Sequence, residues 1–319
     1  MNKIIIIGSG ARECALLMKM KQSLTQERYH FYTIGLNANP YMHKWSEFYL
    51  VNDFKMDTFY NLDLFSNSYE FNQENIEMVI IGPEAPIVNG LADWLDSNGI
   101  YAFAPSKENA RIESSKIFSR NFIHYNVQSK YNPDYIVVKD KLDTITPQSV
   151  YALIMETRHL FGDNIVIKKD GLCGGKGVYV EGDHFIAINE SPSSYFIIEL
   201  TEYLKVDLNN IIIEKRLYGI EFSIMTLADS AGHVSHLAPV FDYKRLKDND
   251  EGPNTGSMGS VLFNKTNLDT IIDSETISHA QSINEITLKN MPQYKGVLYG
   301  SYILTEDGEL KLIEFNCRF

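Results

Sequence analysis

The stretch IVIKKDGLCGGKGV, residues 165–178, constrains this chain more than any other. Its β-branched run Ile165-Val166-Ile167 predicts a buried strand that delivers Lys168 at its end. Gly171, Gly174, Gly175 and Gly177 follow, interrupted by Lys176, before strand-like Val178-Tyr179-Val180. Glycines let backbone N–H groups turn toward an anion without interference from a Cβ, and lysines add charge at that mouth. One reading is a flap that closes over nucleotide phosphates; the other is a glycine-rich hairpin with solvated lysines. It is not a Walker A loop, which needs Ser or Thr where Gly177 stands.

The length of 319 residues allows roughly two or three domains with proper cores. A net charge of −12 argues against nucleic acid or an anionic membrane as partner, and leaves a local basic pocket open. Cys14, Cys173 and Cys317 show no CxxC spacing, which predicts a reduced compartment without a disulfide or zinc framework. No apolar run reaches membrane-spanning length, and Ile4–Ile7 runs straight into a glycine turn, unlike a signal peptide. A cytoplasmic location is expected.

Residues 3–7 read as a fully apolar strand, followed by Gly8-Ser9-Gly10-Ala11-Arg12-Glu13 and a helix to about Met20. A strand, a glycine turn and a helix start together make an anion site. The dinucleotide fingerprint GxGxxG fails at Glu13, and Asn37 stands where a ribose-binding acid would follow the next strand, 30–36. A third strand, 78–81, ends in Gly82-Pro83-Glu84-Ala85-Pro86, a stiff loop at the carboxyl edge where α/β ligands sit. A helix over 87–97 and a strand over 100–104 complete a doubly wound parallel-sheet pattern.

Beyond it the pattern predicts a helix over 107–124 carrying Lys116, a short strand at 135–138, helices at 151–162 and 194–205, and strands at 211–217 and 222–227. Glu214 and Glu221 flank the connector between those last strands, which suits a nucleoside site or plain surface charge. Residues 239–259 form a long polar segment and read as a binding loop. A helix over much of 266–290 precedes a hairpin of 297–304 and 309–315 around Glu306-Asp307-Gly308. On the last strand Glu314 and Asn316 share one face, hard oxygen ligands suited to Mg²⁺ bridging phosphates, and Arg318 follows on that face.

Eight segments in order resemble the ATP-grasp superfamily and, more narrowly, the glycinamide ribonucleotide synthetase (phosphoribosylamine–glycine ligase) family. They are GSGARE (8–13), GPEAP (82–86), SK (115–116), IKKDGLCGGKGV (167–178), EKRLYGIE (214–221), DYKR (242–245), GPNTGSMG (252–259) and IEFNCRF (313–319). The last two of these separate this family from most other ATP-grasp enzymes. The resemblance implies an α/β chain with an N-terminal domain over 1–104 and ATP-grasp parts over 105–190 and 191–319. It implies ATP-dependent joining of glycine to 5-phosphoribosylamine, in purine synthesis, through a glycyl phosphate.

Carried over by position, Lys116, Lys168, Gly174, Gly175, Lys176 and Gly177 are expected at the ATP phosphates. Glu214 and Leu217 are expected at adenine, Glu221 at ribose, and Glu314 and Asn316 at Mg²⁺ or Mn²⁺, with Arg318 and Lys168 catalytic. Gly10, Arg12, Glu13, Pro83, Glu84, Asp242, Lys244, Arg245, Asn254, Thr255 and Gly256 are expected to form the substrate pockets. Small molecules are the expected partners of a monomer or weak homo-oligomer. The sequence departs from the family pattern at Ala11, Cys14, Lys169, Lys215 and Ser257. The pattern also runs on past Phe319, so a C-terminally shortened form is expected. Two alternatives follow: a ligase for another amine or carboxylate, and an impaired nucleotide-binding relative.

Overall fold

The computed structural model describes residues 2–24, 28–62, 65, 75–162, 164–172, 177–206, 211–248, 252, 254–262 and 271–319. Gly174, Gly175 and Lys176 lie outside them.

The chain begins with β1 (Asn2–Ile7), α1 (Ala11–Ser23), β2 (Tyr29–Gly35), α2 (Pro40–Trp45), β3 (Glu47–Leu50), α3 (Met56–Tyr60) and β4 (Ile76–Ile81). Then come α4 (Glu84–Val88), α5 (Leu91–Ser97) and β5 (Ala102–Phe103). The five strands form a parallel sheet in the order β3-β2-β1-β4-β5. The isoleucine run explains why β1 is central. Ile5 and Ile7 pack with Ile34, Val79 and Leu91 on one face, Ile4 and Ile6 with Leu17, Phe31 and Met42 on the other. A strand covered on both faces must be apolar throughout. Order reverses between β1 and β4, so the loops after them, 8–10 and 82–83, meet at the switch point; the stiff loop expected over 82–86 is cut short because α4 begins at Glu84.

The helix expected over 87–97 is two helices, broken at Gly90, whose φ of +91° is costly for any residue with a Cβ. The short α2 and β3 escaped the sequence reading, although Asn39 caps α2 through Tyr41 N–H at 3.1 Å and Pro40 opens it.

The helix expected over 107–124 is also broken, into α6 (Arg111–Ser114) and α7 (Lys116–Phe122), with a π-helical stretch over Ile123–Gln128. The break is Ser115, extended at φ −136°, whose Oγ caps α7 by accepting from Phe118 N–H at 3.1 Å. Next come β6 (Tyr135–Val137), α8 (Pro147–Phe161), β7 (Ile165–Lys169), β8 (Val178–Val180), α9 (Tyr195–Val206) and β9 (Ile211–Lys215). Thr146 caps α8 and left-handed Gly162 ends it. These strands form an antiparallel sheet, β6-β9-β7-β8, covered by α8 and α9 through Val150, Ile154, Ile165, Ile197 and Ile213.

The remainder is β10 (Gly219–Ala228), β11 (Val234–His236), β12 (Val240–Arg245), β13 (Asn254–Leu262), α10 (Ser274–Lys289), β14 (Gly296–Thr305) and β15 (Leu310–Asn316). The sheet order is β13-β12-β10-β14-β15, with β11 beside β10. The segment 239–259, read as a loop, is largely the antiparallel pair β12–β13. It is polar because it borders the open edge of the sheet, where side chains meet solvent instead of core. On the inner face Phe222, Leu298, Tyr302 and Phe315 pack against Ala280 and Ile283 of α10. Tyr302 donates to Asn284 Oδ1 at 2.6 Å, which satisfies a buried hydroxyl. Lys295 pairs with Asp96 at 2.5 Å and Asn109 donates to Pro292 O at 3.0 Å, joining the N-terminal sheet to this one. Among the described residues no helix is long and apolar enough to cross a membrane.

Candidate functional site

Helix α7 is where the two later sheets meet. At its start Ser115 donates to Asp170 Oδ2 at 2.7 Å, the Lys116 backbone N–H donates to Asp170 Oδ1, and Lys116 Nζ donates to Gly171 O at 3.2 Å. The N-terminus of a helix favours a carboxylate, so Asp170 ties the exit of β7 to α7. One turn after Lys116, Arg120 faces the same way. Its Nε and Nη2 donate to the two oxygens of Glu214 at 2.7 and 3.1 Å, while Nη1 and Nη2 donate to Leu312 O and Ile313 O at 3.0 and 2.7 Å. Arg120 therefore links β9 to β15.

Lys168 completes this cluster, with Nζ at 2.6 Å from Glu214 Oε2. Burial by itself raises a carboxyl pKa; here the charges of Arg120 and Lys168, with their hydrogen bonds, overcome it and hold Glu214 at about 2. Lys169 takes the opposite face of β7, 4.1 Å from the Tyr203 ring centre.

The end of β15 is shaped by an irregular register. Ser301 opposes Glu314 and Tyr302 opposes Leu312, which leaves Ile313 as an extra residue. Past it Phe315 and Cys317 are buried, while Glu314, Asn316 and Arg318 turn to a cavity of about 640 Å³. Arg318 is ion-paired with Glu84, donates from Nε to Glu113 Oε1 at 3.1 Å, and reaches Asn316 Oδ1 at 3.4 Å. Burial pushes the Glu113 carboxyl upward, against the Arg318 charge and the Cys317 N–H.

Of the residues the sequence singled out, Glu84, Lys116, Gly177, Glu314, Asn316 and Arg318 line this one cavity. Lys168 and Glu214 lie behind Arg120, which also lines it. Glu13 stands between the two switch-point loops: its Oε2 accepts from Gly10 N–H at 2.8 Å, and a Cβ on Gly8 or Gly82 would strike its side chain. Pro83 immediately precedes α4. Arg12 lies 3.8 Å from Glu13 Oε1 and has its pKa lowered, first by burial and then by the Arg318 charge.

A second group gathers on β10 and β12. Lys244 pairs with Glu221 at 3.4 Å, and Asp242 accepts from Ser257 Oγ at 2.5 Å. Burial lowers the Lys244 pKa, but Glu221 and Glu314 outweigh it and raise the value overall. Thr255 Oγ1 donates to Lys244 O at 2.8 Å; Asn254 and Gly256 lie beside it on β13, and Leu217 in the connector before β10. Arg245 turns elsewhere, to Asp183 at 2.7 Å, which Arg216 also contacts, and to Gly252 O at 2.9 Å.

Sequence reasoning missed Glu113, Arg120 and Asp170. The signal for Arg120 was its spacing of four from Lys116 on one helix; Glu113 and Asp170 left no comparable local mark. Among the described residues no cluster of three or more His, Cys, Asp or Glu is arranged to hold a metal. Glu314 and Asn316 supply two hard oxygen donors on one face, which fits a magnesium-type ion that draws its other ligands from phosphates and water.

Comparison with known proteins agrees with this architecture. A family model described as phosphoribosylglycinamide synthetase, N domain, matches residues 2–113, and one described as phosphoribosylglycinamide synthetase, ATP-grasp (A) domain, matches residues 114–319. The phosphoribosylamine–glycine ligase of Methanocella arvoryzae is 36% identical over 328 residues, covering 99% of this chain and 67% of the relative. The trifunctional purine biosynthetic protein adenosine-3 of Chironomus tentans is 34% identical over 329 residues, 100% of this chain and 21% of that protein. The crystal structure of the Thermotoga maritima phosphoribosylamine–glycine ligase superposes with a TM-score of 0.71 at 26% identity, covering 99% of this chain and 69% of that one. The chain thus spans about two thirds of the length of these single-function relatives. On two adjoining family models and relatives above 30% identity, the chain belongs to the phosphoribosylglycinamide synthetase family.

Proposed function

We propose that this chain uses ATP to join glycine to 5-phosphoribosylamine, giving glycinamide ribonucleotide, ADP and phosphate in the cytoplasm. The observation that carries the reading is the convergence of Glu84, Lys116, the ends of the glycine-rich loop, Glu314, Asn316 and Arg318 on one cavity. A glycine carboxylate oxygen takes the γ-phosphoryl group as ADP leaves. The phosphoribosylamine nitrogen then attacks the acyl carbon, and phosphate departs with that oxygen.

Lys116, Lys168 and the loop through Gly174, Gly175, Lys176 and Gly177 hold the phosphates. Glu214 acts with Leu217 at adenine, and Glu221 at ribose. Arg318 stabilises charge on the transferring phosphoryl group. Gly10, Arg12, Glu13, Pro83 and Glu84, with Asp242, Lys244, Asn254, Thr255 and Gly256, shape the glycine and amine pockets. Glu314 and Asn316 would hold Mg²⁺ or Mn²⁺, which when bound neutralises charge on phosphate oxygens.

The test is ADP release with glycine and freshly prepared phosphoribosylamine together, against each alone. Release that needs both is expected; release indifferent to omitting either overturns the reading. A second measurement concerns the ion. Two protein ligands leave most of a magnesium shell to water and phosphate, so calorimetry should show weak Mg²⁺ binding to the nucleotide-free chain and a sharp rise with ADP. Tight binding without nucleotide would remove Glu314 and Asn316 as a two-ligand site.

A further inference from the structure

We propose that Glu113 is a positioning residue for Arg318, fixing the guanidinium at the cavity wall; this rests on the role given to Arg318 above. One carboxylate grips two successive residues. Its Oε1 accepts from Arg318 Nε at 3.1 Å and its Oε2 accepts from the Cys317 backbone N–H at 2.6 Å. Ladder pairing of β15 ends at Asn316, so Arg318 lies just beyond the part of the chain that the sheet holds. A backbone anchor alone would leave the long side chain free to rotate, and a side-chain anchor alone would leave its root free. Glu113 restrains both.

The anchor is itself rigid. The Glu113 side chain is 6% exposed, on α6, two residues from the Ser115–Lys116 step that Asp170 holds. Arg318 is thereby placed relative to Lys116, across a sequence separation of 205 between Glu113 and Arg318. Glu84 is a different kind of partner. It contacts Arg318 through Nη2, opens helix α4 after the switch-point loop, and its side chain is 36% exposed. It is the carboxylate that an incoming anion can displace, whereas Glu113 stays. Charge-assisted hydrogen bonds of this kind are about twice as strong as neutral ones, and small displacements of a reacting constellation cost rate steeply.

The test uses the full chain with ¹⁵N-labelled arginine. Glu113→Gln keeps the side-chain volume and an acceptor for the Cys317 N–H while removing the charge. The Nε–H of Arg318, assigned by its loss in Arg318→Lys, should exchange with solvent at least about tenfold faster in Glu113→Gln. In Glu84→Gln the change should stay under about threefold, as the bond to Nε remains. In turnover, Glu113→Gln should lower kcat roughly tenfold with KM for ATP within about twofold, and should add nothing in an Arg318→Lys background. Unchanged Nε–H exchange in a folded Glu113→Gln protein overturns the proposal. So does an equal loss of kcat in both backgrounds, which marks a merely structural role. If the wild-type chain shows no glycine- and amine-dependent turnover, the functional reading fails, and proton exchange still decides the positioning.

Discussion

Lys168→Met is expected to slow ADP formation by on the order of 10²–10³, the usual loss when one preorganised group facing developing charge is removed. Lys168 leaves β7 with its side chain 11% exposed and its ammonium 2.6 Å from Glu214. A lysine has three donors; one bond to Glu214 leaves others for phosphate oxygens, and the same bond fixes where they point. Methionine keeps the apolar stem and removes the charge, while Glu214 retains its bidentate pair with Arg120. The fold should therefore survive. Lys169→Met is the internal control, since Lys169 lies over Tyr203 on the other face of β7. Loss of less than about threefold in a folded Lys168→Met protein, or equal losses in the two variants, would remove Lys168 from the reacting centre.

Glu214→Ala is expected to destabilise the chain by about 3–5 kcal/mol, because it leaves the charges of Arg120 and Lys168 buried without their counter-charge. Set against total stabilities of about 5–15 kcal/mol, that is a large loss. The same residue gives stability a pH dependence. Its pKa in the folded protein is about 2, below the ordinary value of 4.5. A carboxylate depressed on folding contributes fully above its unfolded pKa, and the contribution disappears as pH falls through the folded value. The window is therefore between about pH 4.5 and pH 2, and the amount is on the order of 3 kcal/mol. Calorimetric melting across that range should show a steeper acid loss for wild type than for Glu214→Gln. Parallel curves would mean that Glu214 is not the group responsible.

Much of the local structure was legible because its causes are local. The isoleucine run of β1, the hairpin turn at Glu306-Asp307-Gly308 and the termination of α8 at Gly162 each follow from a few neighbouring residues. The opposite faces taken by Lys168 and Lys169 on β7, and the shared face of Glu314 and Asn316, follow from period-two alternation. Tertiary structure decided the rest, since whether a charged residue is buried and with whom depends on segments far away in the chain. Glu214 looks like many surface glutamates until Arg120, 94 residues earlier, and Lys168 enclose it. Glu113 acquires meaning only when β15 brings Arg318 to it. Ser115 breaks a helix that periodicity would continue, because Asp170 and a cap reward the break. The polar segment over 239–259 became paired strands because β10 offered a free edge, and hydrogen bonding to an existing edge overrides weak strand propensity. The residues of each segment decide what chemistry it can supply. Only packing determined which of those groups would face one another.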